Sequence, residues 1–193
     1  DKEEERTRDI LYVNGILGNK KINIYVIHAP SRREHNIKKS LRQAIFDTVY
    51  RHICHLMSEN DETNFLIMGD MNDNPWDSAV KDGFRTIATA KNPQPLLVNI
   101  MQNNKNKVGS YVYNGSYQSF DQFIVSRSLL EFTDSSGTGN VFRADFLTDG
   151  NPKHRLLTPY STYKGTYYQG GISDHFPIVM VINDKAGSQK SNP

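Results

Sequence analysis

The sequence predicts an α+β fold. Three observations carry that expectation: several apolar runs of strand length, one long stretch with apolar residues at three- or four-residue steps, and an Asn-Gly pair inside an alternating segment. Ile10–Leu17 (ILYVNGIL) and Ile22–His28 (INIYVIH) read as two strands joined through Gly18–Lys21. From Asn36 to Met57, Ile37, Leu41, Ile45, Val49, Ile53 and Leu56 recur with helical spacing, giving an amphipathic helix of about six turns. Asn64–Met68 is short and almost wholly apolar, as expected of a strand buried on both faces.

Residues 91–109, rich in Asn, Lys and Pro, read as a long surface connection. SYVYNGSYQSFDQFIVS then carries the hairpin signal. Asn114–Ser116 also has the form of a glycosylation sequon, which the turn accounts for equally well. Phe176–Ile182 is the expected last strand, and the polar residues 184–193 are expected to be a disordered tail.

The 193 residues suit one domain, with no repeat or linker dividing them. A net charge of +2 neither demands nor excludes a phosphate-bearing partner. Cys54, the single cysteine, rules out an internal disulfide and argues against a cysteine zinc site; it is expected to be packing. No apolar run approaches the ~20 residues of a membrane span, and the opening DKEEERTRD reads as neither a leader nor a folded start.

Four strand ends are each punctuated by an acid or a histidine: His28, Asp70 with Asn72, Asp121, and Asp174 with His175. Such groups converge if the strands are neighbours in a sheet. Asp70 and Asn72 stand two apart, on one side of an extended chain. The carboxylate can hold a hard cation or orient a water, and the amide can donate to a phosphate oxygen. An Asx turn after a strand explains the same residues.

His175 is a natural general acid–base, and Asp121 a partner that fixes its tautomer; a surface turn and a backbone-bonded acid are the plainer readings. After His28, the Ser31-Arg32-Arg33 run can grip a phosphate or simply form a solvated loop. His52 and His55 have metal-pair spacing, but no third ligand stands near them. Nucleophile-elbow and Walker patterns are absent from the sequence.

GDMNDNP, FDQFIVS and GGISDHFP, in that order, resemble the endonuclease/exonuclease/phosphatase superfamily, of the deoxyribonuclease I type and closest to its bacterial members. The resemblance spans about Thr7 to Ile182. It implies a two-sheet β-sandwich flanked by helices, of which residues 7–183 would be the C-terminal portion, with the first lobe missing. It implies that Asp70 orients the attacking water, Asn72 steadies the phosphate and Asp174 is a metal carboxylate. His175, oriented by Asp121, would act at the phosphate, with His28 as a second phosphate contact; Arg32, from the planar fork of its own side chain, is the expected substrate-binding cation.

The implied cofactor is Mg²⁺, with Mn²⁺ as a substitute, and an asparagine and a glutamate completing the site are expected upstream of Asp1. The implied reaction is hydrolysis of a phosphodiester, DNA or RNA being the favoured substrates. A phosphatase of lipid or inositol phosphates, and an inactive fragment or binding module, stay open as alternatives. A missing half would leave apolar surface exposed for self-association or for a companion fragment.

Overall fold

β1 (Leu11–Leu17) turns at Gly18-Asn19 and returns antiparallel as β2 (Lys20–His28). The computed structural model describes residues 7–32, 38–60, 64–87, 96–102, 108–133, 139–150 and 156–183. Residues 1–6, the expected tail 184–193, Arg33, Asn36 and Ile37 lie outside the described residues.

The long helix α1 (Lys39–Asn60) carries the chain back to β3 (Phe65–Asp70), parallel to β2. A short helix α2 (Ser78–Gly83) follows, then β4 (Leu97–Asn99). β5 (Tyr111–Tyr113) and β6 (Ser116–Gln118) form the expected hairpin; Asn114 and Gly115 both have positive φ, as the tight Asn-Gly turn requires. β7 (Asp121–Ser126) runs antiparallel to β3 and leads into a single helical turn, α3 (Arg127–Leu130). β8 (Asn140–Val141), β9 (Tyr163–Lys164), β10 (Tyr167–Tyr168) and β11 (Ile178–Val179) are short.

The fold is α+β, built on a five-stranded sheet in the order β1-β2-β3-β7-β4. Alternation divides the sheet into two faces. Tyr25, Ile27, Phe65, Ile67 and Ile124 pack under the helices against Phe46, Val49, Ile53, Val80 and Phe84. Ile22, Leu66, Phe123 and Val125 point the other way, into a second cluster with Ile100, Met101 and Leu129. The β8–β11 ribbon lies over that cluster through Val141 and Ile178, a thin second β layer. On the edge strand β1, Leu11, Val13 and Leu17 remain exposed on this same face.

Several expectations are corrected. The supposed surface connection at 91–109 contains β4, whose Leu97 and Asn99, with Ile100 and Met101 after it, are buried. Three residues are too few to show a period beside so many Asn, Lys and Pro. The last strand shrinks to Ile178–Val179, with Ile182 held by one bridge to Thr133. On α1 the buried stripe runs through Arg42, Phe46, Val49 and Ile53, because Arg42 is paired and can therefore go inside. Cys54 is exposed rather than packed.

Candidate active site

The sheet register lines up three of the four punctuated strand ends. His28 stands opposite Asp70 across the β2–β3 pair, and Asp70 stands opposite Asp121 across β3–β7. Paired residues project from the same face, so the three side chains form one row at the end of the sheet. His28 Nε2 lies 3.5 Å from Asp70 Oδ2. Gly69 permits this close pairing: its φ is +128°, and a Cβ there would sit 2.0 Å from the carbonyl oxygen of Ile27.

His175 arrives from elsewhere, on the loop before β11. Its neighbour Phe176 is buried and donates its N–H to the carbonyl of Ser110 at 2.7 Å, which pins the loop beside β5. The imidazole Nδ1 then meets Asp121 Oδ2 at 2.6 Å. Tyr111 stacks on the same ring, with centroids 4.6 Å apart.

Asp70 and Asn72 converge through a turn rather than through the pleat, since Asn72 has a φ of 50°. The Asn72 N–H donates to Asp70 Oδ1 at 2.8 Å, so the Asx turn is formed. The side-chain amide donates to Asp70 Oδ2 at 3.0 Å and to the Ala29 carbonyl at 2.9 Å. In this geometry Asn72 steadies Asp70, and contact with a phosphate requires one of these bonds to open. The remaining polar residues of DMNDNPWDS hold the loop. Asp73 accepts from buried Arg42 and from Arg32, and Asn74 bonds Gln118 and the Ser119 N–H.

Arg32 is on the cavity wall, but its Nε donates to the Asn72 carbonyl and its Nη2 to Asp73 and Asp77. It braces the loop first. Asp174 lines the cavity and is exposed. His52 bonds the Tyr25 hydroxyl, and His55 pairs with Glu59.

All seven sequence-selected residues, His28, Arg32, Asp70, Asn72, Asp121, Asp174 and His175, line one cavity of about 640 Å³. Sequence reasoning missed Arg8, Tyr111 and Tyr113 on its wall. Hairpin arithmetic could have found Arg8, because the start of an antiparallel β1 lies beside the end of β2. Nothing in sequence links Tyr111 to His175.

Two groups at the site, Asp70 and His175, are shifted. Burial raises the Asp70 pKa, and the Asp121 charge adds to this, against the Asn72 N–H and the two histidines. Burial alone would lower His175. The hydrogen bond and charge of Asp121, with Asp70 and Asp174 behind them, carry it above its ordinary value instead.

The family model described as Endonuclease/Exonuclease/phosphatase family matches residues 1–184. The chain belongs to the endonuclease/exonuclease/phosphatase family. Superfamily members are hydrolases acting on phosphate esters. No curated protein matches the chain.

Among solved structures, an endonuclease/exonuclease/phosphatase family protein of Bacteroides thetaiotaomicron has TM-score 0.51 and 15% identity, over 85% of this chain and 50% of its own. A truncated TDP2 of Caenorhabditis elegans has TM-score 0.52 and 14% identity, over 92% and 60%. A beta toxin of Staphylococcus aureus has TM-score 0.53 and 13% identity, over 90% and 57%. These similarities establish the deoxyribonuclease I-like fold. The chain thus spans 50–60% of the length of these three.

Proposed function

We propose that this endonuclease/exonuclease/phosphatase domain hydrolyses a phosphodiester by in-line attack of water, with a nuclease-like substrate. The observation that carries the reading is the row His28–Asp70–Asp121 joined to His175 at a single cavity. Phosphoryl transfer asks mainly for positioning and charge stabilisation, and this arrangement offers both.

Asp70, with its raised pKa, orients the attacking water and accepts its proton as the water oxygen bonds to phosphorus; the opposite P–O ester bond breaks, and the leaving oxygen takes a proton from solvent. Asn72 and the Asx turn hold that carboxylate still. Asp121 takes the Nδ1 side of His175, leaving Nε2 to face the phosphate. The raised pKa favours imidazolium, which donates to a phosphoryl oxygen and offsets its charge. His28, half exposed beside Asp70, supplies a second donor, and Arg8 brings positive charge to the cavity wall.

Three carboxylates line this cavity, so a phosphate bound there needs more positive charge than the arginines bring. Family members generally use divalent metals, and Mg²⁺ or Mn²⁺ is the ion proposed. The described residues alone do not fit it: no three or more of their His, Cys, Asp or Glu side chains group to hold a metal. Asp174 is an exposed oxygen donor without such a group, and the steps above are derived from side chains alone.

The test is hydrolysis of bis(p-nitrophenyl) phosphate, DNA and RNA by the full-length protein with Mg²⁺, with and without EDTA. Chelator-sensitive turnover is expected. Inactivity on all three substrates overturns the reading.

A further inference from the structure

Four of the ten tyrosines fall between Tyr160 and Tyr168, in a stretch, Leu156–Ser173, that has one lysine and no acid. The β9–β10 hairpin turns this segment outward, leaving Tyr163, Tyr167 and Tyr168 60%, 78% and 71% exposed. Three largely bare aromatic rings on six residues form no part of the core and need another explanation. Their arrangement is regular. Tyr163 and Tyr168 are cross-strand partners with ring centroids 5.4 Å apart; Tyr167 is paired with Lys164 on the opposite face.

The hairpin is also tied to the active-site loop. Tyr160 accepts through its carbonyl from the N–H groups of Ile172 and Ser173, and Thr162 Oγ1 donates to the carbonyls of Gly171 and Ile172. Ser173 lines the cavity beside Asp174 and His175. The base of the hairpin is therefore bonded to the segment that leads directly into Asp174 and His175.

We infer that the Tyr163–Tyr168 hairpin is a stacking platform for the bases of single-stranded nucleic acid flanking the cleaved phosphate. This rests on the phosphodiesterase reading above and names its substrate class. Tyrosine faces stack on any base, and Lys164 next to Tyr167 suits a base with its adjoining phosphate. The absence of acids over the segment removes repulsion of the backbone. A lipid surface fits less well: the hairpin turn is Gly165-Thr166, aromatic rings stand on both faces of the ribbon, and neither strand carries an aliphatic side chain.

The test uses the full-length protein in EDTA and low salt, with a fluorescein-labelled 12-nucleotide single strand, an abasic strand of equal length and charge, and phosphatidylserine-containing vesicles. The base-bearing strand is expected to bind about tenfold tighter than the abasic one. Tyr167→Ala should close most of that gap and Tyr167→Phe should keep it, with circular dichroism confirming the fold. Equal binding of the two strands overturns the platform. So does a gap untouched by Tyr163→Ala, Tyr167→Ala and Tyr168→Ala, or vesicle binding that these substitutions abolish while strand binding stays. Hydrolysis of bis(p-nitrophenyl) phosphate, DNA and RNA is followed separately: its absence on all three overturns the phosphodiesterase reading and leaves the base-dependence measurement standing.

Discussion

The Asp121 carboxylate lies 2.6 Å from Nδ1 of His175 across 54 residues of chain, and two short structural devices make the meeting possible. Asp121 is held at the first position of β7, opposite Asp70. His175 is delivered by a loop anchored on buried Phe176 and the Ser110 carbonyl. The histidine is thus oriented by groups from two separate parts of the fold.

Asp121→Asn should move the alkaline limb of the pH–rate profile to lower pH. The hydrogen bond and charge of Asp121 raise His175, so losing the charge leaves burial opposed chiefly by Asp70 and Asp174. The profile of kcat/KM for bis(p-nitrophenyl) phosphate measures this, and an unmoved limb would mean that His175 is not the group titrating.

Asp70→Asn and His175→Ala should each lower kcat by roughly 10²-fold or more, as expected for groups acting in the transition state. Steady-state kinetics on the full-length protein decides. Losses within about threefold would reduce both residues to turn formers.

Stability should fall with rising pH in two windows. Asp70 and His175 both have folded pKa values above their reference values of 3.8 and 6.5, so each binds its proton more tightly in the folded state. The contribution of each is complete below its unfolded pKa and is lost as pH rises through the folded one. Urea unfolding across a pH series checks this; in His175→Ala the decline starting above 6.5 should flatten.

Arg42→Met should destabilise the domain by about 3 kcal/mol or more, because a buried carboxylate loses a buried partner. Arg42 is fully buried and its Nε lies 2.6 Å from Asp73 Oδ2. Added salt should weaken this pair little, in contrast to the exposed Asp47–Arg51 pair. Urea midpoints at low and high salt measure both effects.

The Asn-Gly hairpin, the β1–β2 pair and the long helix were legible because each is written in local spacing. The seven candidate residues were also marked locally, by strands running into acids, histidines, an amide and an arginine, and the structure places all seven on one cavity. β4 was not legible, because three residues carry no period. The expected stripe holds Leu41 and the buried one Phe46, because helical spacing names a stripe without saying which of two adjacent stripes meets the sheet.

What the sequence by itself determined is the element types and the inventory of chemical groups, both of which follow from side-chain period and residue identity within a few positions. The tertiary structure alone decided which groups meet. The parallel β2–β3 and antiparallel β3–β7 registers put His28, Asp70 and Asp121 in one row, Asn72 bonded back to Asp70, and Arg32 turned to Asn72, Asp73 and Asp77. It also laid Tyr111 on the His175 ring. Contacts between residues far apart in the chain depend on strand order and register, and no local pattern of residues encodes either.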